Sequence, residues 1–87
     1  MLQNQSHFPR STRQALADVD KYLKMCGSDK SKVLTAVIWL ADIRLRDDMN
    51  KAWLEWVDPN NLPARACVEN KMADPRCLVE IMFTAAR

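Results

Sequence analysis

A short apolar segment, LPARACVE at residues 62–69, contains the side chains of this chain that are best suited to chemistry. Side chains of a β-strand point alternately to opposite faces, so a strand here places Arg65, Cys67 and Glu69 on one face. The guanidinium group is a planar fork of donors that can bind a carboxylate through two parallel hydrogen bonds. Arg65 therefore indicates a site for a small anionic molecule.

The last apolar segment, CLVEIMFTAA at residues 77–86, predicts a further strand that contains Glu80. We expect the two segments to form an antiparallel hairpin, with Arg65 near Glu80 and Cys67 near Leu78. Paired residues of antiparallel strands point the same way, so Arg65, Cys67 and Glu80 then share one face. The same register also allows a plain cross-strand ion pair between Arg65 and Glu80, worth about 0.2–1 kcal/mol. The pattern alone leaves both interpretations open.

Other reactive or aromatic residues have simpler interpretations. Cys67 has no histidine or other base near it in the pattern, so the sequence favours a small buried hydrophobe over a nucleophile. His7 is the one histidine of the chain and lies in a polar N-terminal segment, and we assign it no role. Trp53 and Trp56 have helical spacing, which is typical of a core or of a subunit contact.

The elements that must position these residues begin with a helix after Pro9. Ser11 or Thr12 can cap its N-terminus, and Gly27 is placed to end it in a left-handed conformation. Between them, apolar residues recur at three- and four-residue spacing, as in an amphipathic helix: Ala15, Leu16, Val19 and Leu23.

A strand over residues 33–41 and a helix over residues 45–57 follow. The strand segment, VLTAVIWLA, is short, β-branched and apolar at both parities, which predicts a strand covered on both faces. Its predicted faces are Val33, Val37 and Trp39 on one side and Leu34, Ile38 and Leu40 on the other. The resulting element order is α-β-α-β-β, an α+β fold.

The two predicted helices can cover only one face of a three-stranded sheet. The first and last strands are nevertheless apolar at both parities, so a second apolar surface needs a cover. Another copy of the chain is the candidate, because homo-oligomers bury such faces symmetrically. We therefore expect a homo-oligomer.

Composition narrows the classes of function. The 87 residues predict one domain, residues 1–87, with 1–11 irregular, and 48% hydrophobic residues suit a globular protein. The net charge is +2 and the basic residues are scattered, so we expect no nucleic-acid partner. Three cysteines without metal-binding spacing indicate no metal site and a reducing, cytoplasmic setting. Residues 1–14 lack the apolar core of a signal peptide, and no membrane span is predicted.

Several segments of the chain resemble the RidA family, also called YjgF or L-PSP. The resemblance begins with TRQALADVDKYLKMCGSDKSKVLTAVIWLAD at residues 12–42 and continues through MNKAWLEWV at residues 49–57, which is similar to the YoaB-like branch. The most recognisable segments are PARACVE at residues 63–69 and VEIMFTAA at residues 79–86. Members of this family have been described as imine deaminases and, earlier, as endoribonucleases or translation initiation inhibitors.

The resemblance implies a chorismate-mutase-like subunit in a homotrimer, with small-molecule sites in the clefts between subunits. It implies that Arg65 binds the substrate carboxylate, that Glu80 positions the attacking water and that Cys67 lines the pocket. In such a site the backbone of Ala66 or Cys67 is placed to give the substrate a further hydrogen bond. The implied reaction is hydrolysis of 2-imino acids, such as 2-aminoacrylate, to 2-keto acids and ammonia without a cofactor. A non-catalytic carboxylate sensor and an RNA-acting protein are the alternatives.

One feature of the family is not seen in this sequence. Its members begin with a β-hairpin before the first helix, whereas here that helix begins within about a dozen residues of the first residue. The resemblance therefore implies a domain whose N-terminal hairpin is missing or shortened.

Overall fold

The computed structural model of the chain describes residues 10–86. Residues 1–9, with His7, and most of the segment predicted to be irregular lie outside this range. The described elements follow the predicted order, which confirms the α+β fold: α1 (Thr12–Met25), β1 (Val33–Leu40), α2 (Arg46–Trp56), β2 (Ala64–Glu69) and β3 (Val79–Ala85). Short 3₁₀ turns at Lys30–Lys32 and Ile43–Leu45 precede β1 and α2.

Both predicted ends of α1 are confirmed by its capping contacts. The Ser11 hydroxyl accepts a hydrogen bond from the backbone N–H of Gln14 at 3.2 Å, so Ser11 is the cap and Thr12 is buried inside the first turn. At the other end Gly27 has φ +72°, the left-handed conformation that glycine adopts without strain. The N–H of Ser28 then donates to the carbonyl of Leu23 at 2.8 Å and closes the helix.

The strand order of the sheet differs from our prediction. The order is β2-β1-β3, with β1 parallel to β2 and antiparallel to β3, so the predicted hairpin between β2 and β3 is wrong. The connection from β1 to β2 contains α2, which is the kind of crossover that parallel strands require. The most apolar strand, β1, takes the centre, where both of its edges are paired.

The predicted faces of β1 are also corrected at the start of the strand. A register irregularity between Val33 and Thr35 adds one residue to β1 relative to β3, so the alternation of the β1 side chains shifts by one position there. Val33 is consequently buried on the same side as Ile38, and Leu34 is exposed. Short-range alternation could not have shown this, because a bulge is a property of the paired strands.

Both helices pack on one face of the sheet. Ile38 and Leu40 from β1 and Met49 from α2 are the largest side chains that are fully buried there. Trp53 belongs to the same core, as its spacing predicted, while Trp56 packs against both this cluster and a smaller one at the end of α1. The opposite face, here called the open face, has no covering element among residues 10–86. It includes Val37, Trp39, Val68, Glu80 and Met82.

Candidate functional site

Arg65 lies near the start of β2, an edge strand, and pairs in register with Ala36 of β1. Its side chain therefore points to the helix-covered face, where it reaches α2. The guanidinium carbon Cζ lies 5.5 Å from the centroid of the Trp53 ring. Nη1 lies 3.6 Å from the sulfur of Met49, a weak acceptor. Arg65 is still exposed, because β2 has no further strand beside it within the described residues.

The charge of Arg65 is not neutralised by a carboxylate of residues 10–86. The salt bridges in this range join other arginines to acidic residues: Arg13 to Glu55, Arg44 to Asp42 and Arg76 to Asp74. The last pair illustrates the effect of such contacts, because hydrogen bonds from Arg76 lower the pKa of Asp74 to about 2. The cross-strand ion pair between Arg65 and Glu80 is therefore contradicted.

Glu80 lies on the other side of the same sheet. It pairs with Trp39 of β1, so its exposed side chain belongs to the open face, whereas Arg65 belongs to the helix-covered face. Our prediction that Arg65, Cys67 and Glu80 share one face of the sheet within a single chain is wrong. It failed because β1 separates β2 from β3, and the pairing assumed in the prediction does not exist.

Ala66 and Cys67 are separated by the same alternation. Cys67 pairs with Ile38, is half-buried and packs against the core, in keeping with its interpretation as a small hydrophobe. Ala66 pairs with Val37 and is exposed on the open face. The structure thus brings Arg65 and Cys67 to one side of β2, and Ala66 and Glu80 to the other side of the sheet.

Sequence reasoning missed two sets of contacts, one at the Arg65 side chain and one at the end of its strand. Trp53, whose spacing predicts a core or subunit contact, lies in the core with Met49, and both side chains also contact the guanidinium. Glu69, at the end of β2, accepts a hydrogen bond from the N–H of Ile43 at 2.7 Å. This contact ties β2 to the turn that begins α2. No local signal could reveal either contact, because each joins segments that are distant in the chain.

The other features of residues 10–86 lie apart from Arg65 and Glu80. A cavity of about 140 Å³ lies between the start of α1, α2 and Val79, and its lining includes neither Arg65 nor Glu80. The thiol of Cys77 donates to the carbonyl of Val79 at 3.3 Å, and burial raises the pKa of this thiol.

Within residues 10–86, no three potential metal ligands of the His, Cys, Asp or Glu type come together. No helix in the described part of the chain could cross a bilayer.

The family model described as Endoribonuclease L-PSP matches residues 2–87. The chain belongs to this L-PSP family. A RutC family protein of Haemophilus ducreyi is 47% identical over 77 residues, which is 88% of this chain and 66% of the relative. RutC family protein YoaB of Escherichia coli is 41% identical over 75 residues, or 86% of this chain and 66% of YoaB. The chain thus spans 66% of the length of each of these two relatives, just under two thirds.

Solved structures agree with the family assignment. A member of the YjgF protein family from Neisseria meningitidis is 43% identical to this chain and superposes with a TM-score of 0.84. The alignment covers 91% of this chain and 70% of the Neisseria chain. A Rid family protein from Yersinia pestis has a TM-score of 0.81 at 29% identity, with 87% of this chain and 60% of its own covered. The YjgF-like subunit fold is therefore shown, and the RidA/YjgF/L-PSP resemblance is confirmed.

Proposed function

We propose that this protein is an imine deaminase whose site forms between copies of the chain. The observation that carries the proposal is the exposed guanidinium of Arg65, which has no carboxylate partner among residues 10–86. Such a group is available to an incoming carboxylate, the feature common to all 2-imino acids. Membership of the L-PSP family supports a small-molecule site at this place.

The positions of Arg65 and Glu80 support a site shared between subunits. Within one chain they lie on opposite faces of the sheet, so one chain cannot direct both side chains at the same small substrate. A second copy packed against the open face can bring its Glu80 toward the Arg65 edge of the first copy. This is the homotrimer that the family resemblance implies.

The open face is well suited to such packing. Met82 is 53% exposed and Val68 is 42% exposed in the single chain, and Val37 and Trp39 lie beside them in register. Apolar side chains that share one sheet face in this way mark interaction surfaces rather than solvent-facing ones. The same packing would remove this surface from water and add stability to a small domain.

In the proposed reaction, Arg65 binds the carboxylate of a 2-imino acid and Glu80 holds a water molecule against C2. The water oxygen forms a bond to C2 while Glu80 accepts one of its protons and passes it to the imine nitrogen, which gives a carbinolamine. The carbinolamine hydroxyl then loses its proton to the amino group as the C–N bond breaks, so ammonia leaves and a 2-keto acid remains. Backbone groups of Ala66 or Cys67 provide a further hydrogen bond to the substrate. The reaction needs no cofactor, because orientation of an already reactive imine is sufficient.

A coupled assay tests this proposal directly. An amino-acid dehydratase or oxidase generates the imine, and semicarbazide traps whatever is not hydrolysed. We expect the wild-type protein to lower the semicarbazone yield, and Arg65→Ala to lose most of this effect. Arg46→Ala removes another exposed arginine and should behave as wild type. Equal activity of Arg65→Ala and wild type would exclude catalysis at this site.

Binding without turnover is the second candidate. It is favoured by the separation of the two residues, because Arg65 can bind a carboxylate without any contribution from Glu80. In that case 2-oxobutyrate binds with dependence on Arg65, and the trapping assay shows no hydrolysis. RNA cleavage that survives Arg65→Ala would instead favour the RNA-acting alternative.

A further inference from the structure

The Arg65 guanidinium is held by two neutral side chains. Its carbon Cζ lies over the Trp53 ring at 5.5 Å from the centroid, and Nη1 is 3.6 Å from the Met49 sulfur. Met49 is fully buried and Trp53 is 6% exposed, so both are fixed by the core. The nearest support of the cation is thus rigid and carries no opposing charge.

We propose that Trp53 and Met49 are positioning residues that orient Arg65 for a monoanionic carboxylate and leave its charge available. The identity of the ligand rests on the proposed function, whereas the positioning itself does not. This role goes beyond the core packing that Trp53 and Met49 provide.

The geometry of the contact explains why neutral partners suit this task. The face of an aromatic ring attracts a cation without using a hydrogen-bond acceptor, so this contact does not occupy the N–H donors of the guanidinium. Nε and Nη2 of Arg65 make no hydrogen bond within residues 10–86, and these two atoms form one edge of the donor fork. A carboxylate partner at that edge would compete with the ligand for the same donors.

The platform beneath Arg65 is itself held from several sides. Trp53 packs against Trp56 with ring centroids 5.6 Å apart and an interplanar angle of 42°. Glu55, on the same helix, forms a salt bridge with Arg13 of α1. The hydrogen bond from Ile43 to Glu69 joins the start of α2 to the end of β2, the strand that carries Arg65. Such support limits the freedom that a ligand would otherwise have to remove.

The contact can be tested first without any ligand. An aromatic ring shifts the NMR signals of protons above its face upfield, so the Arg65 side-chain signals should lie upfield in the wild-type protein. We expect Trp53→Leu to return them toward ordinary arginine values and Trp53→Phe to retain part of the shift. Leu54→Ala is the control, because Leu54 is the next residue of the same helix and is 73% exposed, and this change should leave the signals in place.

Calorimetric titration with 2-oxobutyrate then tests the role in binding. We expect Trp53→Leu to raise the Kd about two- to fivefold, the range of an exposed cation–π contact. Trp53→Phe, which preserves a ring, should change the Kd by less than about twofold. Met49→Leu removes the sulfur contact but keeps a similar volume, so it should move the Arg65 signals and raise the Kd by less than Trp53→Leu does, and no change in either would exclude Met49 from the positioning role. Leu54→Ala should bind as wild type. If Trp53→Leu does not fold, the graded effects of Trp53→Phe on signals and affinity decide the matter.

The outcomes separate this inference from the proposed reaction. The positioning role would be overturned if the Arg65 NMR signals did not move in Trp53→Leu. It would also be overturned if the signals moved but the Kd for 2-oxobutyrate stayed the same. A wild-type protein that does not bind 2-oxobutyrate would overturn the assignment of a carboxylate ligand. Binding that depends on Trp53, together with no hydrolysis in the trapping assay, would support the positioning role and exclude only the deaminase.

Discussion

The two faces of the sheet share the same strands but have different surroundings. On one face, Ile38 and Leu40 are 0% exposed because α1 and α2 cover them. On the other, neighbouring residues of the same strands are left to solvent in the single chain, and Met82 is 53% exposed. Both faces are rich in apolar side chains, so composition does not distinguish them. The difference shows that the helices complete one core and leave a second apolar surface uncovered in the single chain.

The two candidate site residues lie on different faces of the sheet and on different edge strands. Arg65 extends from the edge strand on the helix-covered side, and Glu80 lies on the open side. Each is positioned by a rigid sheet, but one chain cannot bring them together. A site that uses both residues therefore depends on assembly, and the following predictions test each side of this comparison.

The largest effect is expected on the helix-covered face. Ile38→Ala should lower the free energy of unfolding by about 3 kcal/mol, because it leaves a cavity in a closely packed core. Leu54→Ala, at a position on α2 that is 73% exposed, should change it by less than about 0.5 kcal/mol. Urea denaturation followed by circular dichroism measures both. A loss below about 1 kcal/mol for Ile38→Ala would show that this face is not the main core.

The next effect concerns the open face. Met82→Glu places a charge in the surface that a second copy is proposed to cover, and burial of an unpaired charge opposes association. We expect sedimentation velocity to show a trimer for wild type and single chains for the variant. Leu54→Glu adds the same charge at an exposed apolar residue of α2 and should keep the trimer. A wild-type protein that sediments as a single chain would contradict the proposal that another copy covers the open face.

A smaller effect is expected at the turn that lets α1 fold back onto the sheet. Gly27→Ala should cost about 1 kcal/mol, because alanine is strained at φ +72°. An added Cβ would meet no atom within 4 Å, so the cost reports backbone strain alone. Cys26→Ala, at the adjacent exposed position, should change stability by less than about 0.5 kcal/mol. Equal thermal stability of both variants would contradict the role of Gly27.

The smallest effect is a pH dependence of the helix layer. The hydrogen bond and charge of Arg13 hold the pKa of Glu55 below its usual value of 4.5. A carboxyl group whose pKa is lowered by folding stabilises the fold above its unfolded pKa, and this contribution is lost as pH falls through the folded pKa. The stability advantage of wild type over Glu55→Gln should therefore be present at pH 7 and disappear in acid.

Urea titrations at several pH values measure this advantage. Arg13→Gln should show the same pH dependence as Glu55→Gln, and the double variant should add nothing further. An advantage of wild type that persists in strong acid would show that the pair does not account for it.

Local sequence patterns were sufficient for the elements. Ser11, Gly27 and the apolar spacing of α1 predict a helix whose ends match the structure closely, because caps and amphipathicity act within a few residues. The proposal that Arg65 binds a carboxylate also follows from the chemistry of arginine itself. The neighbours of Arg65 could not be predicted in the same way. Trp53 and Met49 meet it only because α2 crosses over between two parallel strands.

By itself, the sequence determined which segments become helices and strands, that two helices leave one apolar sheet face uncovered, and that Arg65 and Glu80 lie on strands. These properties depend on residue type and on spacing along the chain. Only the tertiary structure decided that β1 lies between β2 and β3 and that Arg65 and Glu80 face opposite ways. The physical reason is that strand order follows from how the whole chain buries its apolar surface. A choice of pairing partner leaves no periodic pattern in either strand.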